Sequence, residues 1–590
     1  MNWSWLQRWP WRPGEWRLRD SQLFLALTIV IGVLAGLSAV LFALTIDAAG
    51  HFFFGMSPSS ARLILVPTLV SLLTGVLLAK YFTEVRGSGV PQTKAAYHLR
   101  QGVMSPKVPI GKFLTGVLCI GSGHSMGREG PSVQIGAGIA SAVGQWLRLP
   151  PERVKSLVPV GASAALSAAF NTPVAAVLFA LEEIIADMNA PLLGSTVVAS
   201  VAAVIVERSL LGNEPLFHVP EYQLQHPLEL LAYVALGIAG GLASVAFSKG
   251  LLRARQFFLG LPARTRMWQP AMGGFAIGLI LLVFPEVAGV GYDHIDQALN
   301  GGLVLSAMVL LCVVKGAATI VSYSTGNAGG IFAPSLFLGA MVGGAVGAVV
   351  QWLAPIVGIP VGEPGAYALV GMGTLFAGII RAPMTSVFMI FEITQDYQIF
   401  VPLMVANMIS LFISRRYQKE AVYEALLKQD RVHLPGPLVK QSAGGWRAGD
   451  VMSTDLGDVF VTADTTAAAA REQAVRHQRS CLIVGRRDAL EGLVDLPALE
   501  RAVAAGKGDV AVAELAVDDF AHVHPDHAID VVLDRFGRNP GDLLPVLNRA
   551  NVRAVDGVIT RETLMRVFGS KTAYRREKES PPQAGPGAPP

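Results

Sequence analysis

Gly127-Arg128-Glu129-Gly130-Pro131-Ser132-Val133-Gln134-Ile135-Gly136 decides the reading of this chain, because it recurs 203 residues later as Gly330-Ile331-Phe332-Ala333-Pro334-Ser335-Leu336-Phe337-Leu338-Gly339. In both stretches glycines lead to a proline that suits the first turn of a helix. Such a helix turns its free N–H groups and the positive end of its dipole back on the glycine loop. Gly87-Ser88-Gly89-Val90-Pro91 has the same design. Three such ends meeting away from water would hold a partly dehydrated anion. A fixed Lys or Arg at that point would grip the ion too tightly for transit. Dipoles and hydroxyls such as Ser88 make a shallower well.

The repetition extends outward. Gly32-Val-Leu-Ala-Gly36-Leu-Ser-Ala-Val-Leu-Phe42 matches Gly237-Ile-Ala-Gly-Gly241-Leu-Ala-Ser-Val-Ala-Phe247, an offset of 205. Gly161, Pro173 and Glu182 keep the spacing of Gly371, Pro383 and Glu392, an offset of 210. Three landmarks in register make duplication the better reading. Repeated halves put a substrate site near the bilayer midplane, where broken helices meet.

The surroundings are those of a membrane protein. The chain has 590 residues and only 15% charged, with 51 of its 90 Asp, Glu, Lys and Arg in the first 440. A soluble chain carries about 25%, and only the last 150 or so residues approach that texture. Ser21–Ile46 has no charged residue, is longer than a cleavable signal core and is long enough to span. Several later apolar runs are short and cut by Gly and Pro, a pattern a bilayer tolerates only around protein or a watery cavity. Tryptophans beside Arg8, Arg12, Arg17 and Arg19 predict a cytoplasmic N-terminal segment over 1–20. Cys119, Cys312 and Cys481 are too scattered for a disulfide framework or a zinc cluster. A net charge of +4 does not argue for nucleic acid.

The fold class expected is an all-α polytopic membrane protein with inverted repeats, joined to a C-terminal α/β domain. The membrane domain is expected over 21–430, with halves at about 21–210 and 226–430. A linker through Gly436-Pro437 and Ser442–Gly445 follows, then a soluble domain over 446–569 made of two similar units in which short β-rich runs alternate with amphipathic helices at about 466–477, 496–505, 527–536 and 561–568. The Pro/Gly-rich tail at 570–590 is expected to be disordered.

The three glycine segments, their order and Tyr423 in Ala421-Val-Tyr-Glu-Ala-Leu426 resemble the CLC family of chloride channels and chloride/proton antiporters, over roughly residues 20–430. The resemblance implies a homodimer with one pore per subunit, multi-pass in a plasma or inner membrane, with both termini cytoplasmic. It implies that Ser88 and Tyr423 give hydroxyls, and Ile331 and Phe332 backbone amides, to a central chloride. Glu129 matches the family's gating glutamate. Glu183, thirteen residues beyond Phe170, matches the inner proton-transfer glutamate of antiporters, and Lys112 a buried lysine. The implied activity is chloride/proton antiport gated by Glu129; the rival within the family is a passive, voltage- or pH-gated chloride channel. The partners implied are chloride, protons, membrane lipid and a second copy of the chain.

Other readings compete at single residues. Glu129 reads either as an N-cap or as a functional intramembrane acid. Glu182 and Glu183 read as a solvated helix end or as functional; Glu182 has a repeat mate in Glu392, which favours structure there, and Glu183 has none. Tyr423 also fits an interfacial belt. His124 reads as a packed polar residue, and Arg128 as neutralising local charge. A cation channel would want acidic rings or converging carbonyls, where this sequence has helix N-termini. An intramembrane hydrolase would use Ser88 or Ser122, but no His–Asp arrangement accompanies either. A fluoride-selective relative is disfavoured because Ser88 and Pro131 match the chloride-type pattern.

The soluble domain resembles a CBS-domain pair, with Asp450-Val-Met-Ser453 as the entry motif and Gly557-Val-Ile-Thr560 as the closing strand. Where that family carries its nucleotide-binding acid, this chain has Thr563. The corresponding positions of the first repeat are Asp495 and Ala498. These departures argue against an adenosine nucleotide as cofactor and leave a packing role at a cytoplasmic dimer face.

Overall fold

Glycine, alanine and proline, set where the sequence repeats, produce a membrane unit of interrupted helices. The computed structural model describes residues 20–564 apart from 56–57, 189–191, 213–215, 218, 221, 223, 395–396, 433, 435–446, 519, 528, 539–540 and 561. The N-terminal segment, the linker and the tail named above lie outside the described residues, as does most of the last helix expected in the soluble domain. The chain divides into two units between Leu434 and Pro435.

In the first unit eight helices are answered in order by eight more. The first eight are α1 (Asp20–Phe54), α2 (Ser60–Lys80), α3 (Val90–Leu99), α4 (Lys107–Gly121), α5 (Glu129–Trp146), α6 (Pro151–Phe170), α7 (Pro173–Phe179) and α8 (Leu193–Leu211). Their counterparts are α9 (Leu230–Gly260), α10 (Gln269–Leu281), α11 (Tyr292–Leu299), α12 (Leu305–Ser324), α13 (Phe332–Val357), α14 (Pro364–Ile380), α15 (Pro383–Thr394) and α16 (Phe400–Tyr417). A seventeenth helix, α17 (Val422–Gln429), closes the unit. Among the described residues six helices are long and apolar enough to cross a membrane, while α3, α7 and α11 are short, as broken spans require.

Packing repeats with the order. Helix α5 lies on α6 as α13 lies on α14, and α1 on α8 as α9 on α16. The contact points are the glycines of the sequence repeat. A Cβ on Gly136 would strike the Gly161 carbonyl and one on Gly161 the Gly136 carbonyl; Gly339 and Gly371 stand in the same relation. A Cβ on Gly36 would come within 2.9 Å of the Ala203 Cα, and one on Gly241 within 3.1 Å of the Ser410 Cα. Apolar side chains gain little by leaving lipid for protein, so helices associate by close backbone approach, and small residues permit it. Buried Lys112 donates to the carbonyls of Val85 and Gly87, and its counterpart Lys315 to those of Val287 and Gly289.

The halves also meet reciprocally. Gly127 N–H donates to Gly330 O and Gly330 N–H to Gly127 O, both at 2.8 Å. The Glu392 carboxylate accepts from the amides of Val174 and Ala175, each at 2.8 Å. Glu182 accepts from those of Met384 at 3.4 Å and Thr385 at 3.0 Å. Each acid therefore caps the N-terminus of the other half's short helix, α7 or α15. Equivalent residues bonding each other in this way define a local two-fold relation between the halves. The solvated-end reading of Glu182 gives way to this cap.

The second unit holds a three-stranded sheet, β1 (Phe460–Val461), β2 (Cys481–Arg486) and β3 (Ala489–Asp495), and a two-stranded one, β4 (Leu543–Leu547) and β5 (Val555–Thr560). Strands β1 and β2 run parallel, and β2–β3 and β4–β5 are antiparallel hairpins. A parallel bridge between Val523 and Val546 repeats the β1–β2 arrangement in the second motif. Helices at Ala467–Arg476, Leu496–Ala504 and Ile529–Arg538 fall within a few residues of where the sequence puts them.

The glycine contacts generate a stability prediction. Gly136→Val and Gly339→Val should each destabilise the protein by at least about 1–3 kcal/mol through overpacking. Gly194, in α8 with no neighbour within 4 Å of its added Cβ, should tolerate alanine with a gain of roughly 0.5–1 kcal/mol. Thermal unfolding of the purified protein in detergent checks this; equal midpoints for all three variants would refute the packing argument.

Candidate functional site

The three glycine segments interlock. Gly87 bridges to Ala328, and Gly127 to Gly330. A Cβ on Gly130 would come 2.7 Å from the Ser88 Oγ and 3.2 Å from the Gly330 Cα. Gly89 takes φ +111°, open to glycine, where a Cβ would run into the Gly130 carbonyl. The first turns of α3, α5 and α13 therefore converge on one place, as the sequence led us to expect. At each, the leading amides have no partner one turn back.

Glu129 occupies the first position of α5 and is fully buried. Its carboxylate keeps its own amide as one donor, as a cap would, but also reaches outside its helix. The carboxylate accepts from the hydroxyl of Tyr292 and, at 3.3 Å, from the amide of Ala333 in the first turn of α13. The acid thus lies on the positive end of the helix that carries Phe332. Arg128 stands over the Tyr292 ring, 5.5 Å from its centroid.

Ile331 and Phe332 are buried at the start of α13, the Phe332 ring against those of Phe170, Phe179 and Phe376. Ser88 and Tyr423 are also fully buried, which removes the interfacial-belt reading of Tyr423. Among the described residues, the Oγ of Ser88 and the hydroxyl of Tyr423 have no hydrogen-bond partner. The two hydroxyls lie within electrostatic reach of each other, and Glu129 and Glu183 within reach of Tyr423. Leaving a buried hydroxyl unmatched costs about 1–3 kcal/mol. Two such groups beside converging helix N-termini could donate to an anion placed between them.

Glu183 sits in a single π-helical turn, Ala180–Ile185, that continues α7. Only 5% of it is exposed, and it pairs with Lys94 at 2.9 Å; Lys94 also reaches Glu424 at 3.4 Å. His124 is packed, its ring between the hydroxyls of Ser71 (2.6 Å) and Ser322 (3.1 Å). Ser122 Oγ donates to the Cys119 carbonyl.

Sequence reasoning missed Tyr292, Lys94 and Lys315. Two of them carried a signal. Gly289-Val-Gly291 repeats Gly87-Ser-Gly89 at an offset of 202, which puts Tyr292 opposite Val90, and Lys315 lies 203 residues after Lys112. Nothing local marked Lys94 as the partner of a carboxylate 89 residues away.

Residues 70–415 match the family described as voltage gated chloride channel. An H(+)/Cl(-) exchange transporter, ClcA, of Vibrio campbellii is 31% identical over 425 residues, covering 69% of this chain and 89% of that protein. A solved structure of a slow cyanobacterial Cl-/H+ antiporter superposes with a TM-score of 0.63 at 26% identity, over 69% of this chain and 97% of the other. A eukaryotic CLC transporter shares the fold at 19% identity, with a TM-score of 0.61 over 92% of this chain and 97% of the other.

The buried ion pair can be tested by itself. Lys94→Met leaves the Glu183 carboxylate unpaired and should cost about 3–5 kcal/mol, and the double variant with Glu183→Gln should recover most of that. Unfolding midpoints in detergent give the cycle; additive losses would mean that the two side chains do not act as a pair.

Proposed function

The chain belongs to the voltage gated chloride channel family, and from that premise we infer that it is a multi-pass membrane protein exchanging chloride for protons, with Glu129 as its gate. One observation carries the assignment of the site: the Ser88 and Tyr423 hydroxyls, buried and without partners, beside the first turns of three helices. The chloride ligands on this reading are those two hydroxyls and the backbone amides of Ile331 and Phe332.

Glu129 explains how one path serves two ions. A carboxylate and a chloride compete for the same donors at the start of α13. While charged, Glu129 holds the position through Ala333 N–H and Tyr292 O–H. Protonation cancels the charge that the helix end favours, and the neutral side chain leaves its place to chloride. Return of the carboxylate expels the ion and delivers the proton. Coupling follows because carboxylate and chloride alternate at one set of donors.

Glu183 is the inner proton residue on this reading. It lies off the glycine loops, and Lys94 keeps its charge from standing unpaired in the interior. Tyr423 has both acids within electrostatic reach.

The homodimer and the cytoplasmic termini belong to the same proposal and rest on the family resemblance. The second unit is proposed to be a CBS pair, supported by its two β-hairpin motifs and paired parallel contacts. Its candidate nucleotide positions are engaged locally: Asp495 caps its own helix through Ala498 N–H at 2.8 Å, and Thr563 closes a turn on Thr560. We therefore assign it packing rather than nucleotide binding.

Purified protein in liposomes should move protons uphill when a chloride gradient is imposed; chloride flux with no proton movement would make it a channel. Glu129→Gln mimics the released state and should keep chloride flux while losing coupling. Glu183→Gln should stop proton movement and leave chloride flux measurable. Wild-type coupling in either variant would remove that residue from the mechanism.

A further inference from the structure

The Gly87-Ser88 loop backs onto a cavity of about 590 Å3 lined by five arginines, Arg86, Arg100, Arg255, Arg266 and Arg431, and by two acids, Glu84 and Asp430. Both acids are engaged. Glu84 pairs with Arg100 at 2.8 Å and Asp430 with Arg255 at 2.6 Å. Three guanidinium charges of the lining are left over. Arg266 and Arg431 are exposed, whereas Arg86 is half-buried, next to Gly87.

Arg86 is held by neutral groups. Its Nη2 donates to Gln269 Oε1 at 3.1 Å and to the Thr325 carbonyl at 3.2 Å. Gly326, at φ +92°, leaves room for the guanidinium, where a Cβ would run into it. Among the described residues no ion pair includes Arg86. The backbone beside it is fixed as well, because Gln92 donates to the Arg86 carbonyl at 2.8 Å and Lys112 to that of Gly87. The cradle therefore fixes the position of the charge without cancelling it.

We propose that Arg86 is a positioning residue for chloride, its uncompensated charge making this cavity an anion-collecting antechamber to the Ser88–Tyr423 site. The inference rests on the transport reading above. A low-dielectric cavity with an excess of one sign raises the local concentration of the opposite ion. The charge stands two residues back from Ser88, so it gathers chloride without adding a strong ligand at the narrow point. The cavity is far larger than one chloride and holds ions with their water.

The test is chloride transport by the full chain in liposomes, measured against chloride concentration. Arg86→Gln should raise the KM for chloride roughly 3- to 10-fold, with maximal rate and proton stoichiometry nearly unchanged. Arg86→Lys keeps the charge and should restore most of the KM. In wild type, added sodium gluconate should raise the KM by screening, and Arg86→Gln should blunt that response. A wild-type KM in Arg86→Gln, or equal defects in the Gln and Lys variants, would overturn the proposal. Should Arg86→Gln not fold, the wild-type salt response decides, and a flat response overturns the proposal. A wild-type protein that moves no chloride would instead sink the transport reading.

Discussion

Gly127 and Gly330 exchange two peptide hydrogen bonds of 2.8 Å, and the rest of the membrane unit is arranged around that exchange. A loop in the interior of a membrane protein has no water to satisfy its backbone, so each glycine segment must find its partners in protein. Here the partner is the equivalent segment of the other half. The pairing keeps the start of α5 against the start of α13, which brings the carboxylate of Glu129 onto the Ala333 amide. Ser88 comes into the same place because Gly130 has no side chain to exclude it. The lysines on α4 and α12 extend the arrangement by tying down the carbonyls of the loops before α3 and α11.

Much of this was legible in the sequence, and the reason is physical. Close helix packing in lipid demands small residues at fixed spacings, so Gly32, Gly136 and Gly161 and their mates stand out as a pattern even without an alignment. Helix starts carry proline and glycine for the same sort of reason. Of the candidate residues named from the sequence, Ser88, Glu129, Ile331 and Phe332 lie in such punctuated segments, whereas Glu183 and Tyr423 were named from the family resemblance alone. What stayed hidden were partners supplied from far along the chain. Lys94 lies in an ordinary helical stretch, and only the fold brings it to Glu183. Tyr292 opens α11, whose counterpart α3 begins with Val90, so the repeat pointed to the position but not to its chemistry.

The second unit was read from different signals. Alternating apolar runs and amphipathic helices located its elements to within a few residues, since a solvated α/β fold writes its two periodicities plainly. Its chemistry is sparser. The side chains at Asp495 and Thr563 are bound up in local turns, and such bonds compete with any ligand those positions could otherwise hold.

The reciprocal caps of Glu182 and Glu392 carry a further consequence. In a pair of identical chains a single substitution at that acid would strike both sides of the interface at once. Two copies within one chain are free of that coupling. Each copy could then drift alone, provided the glycines and caps that hold the pair together were kept. The difference is visible at the mates of the residues proposed to handle chloride and protons: Val290 stands opposite Ser88, Phe332 opposite Glu129 and Ile393 opposite Glu183. Inheritance of a symmetric frame left one copy free to specialise, and a path with two different ends requires that kind of division of labour.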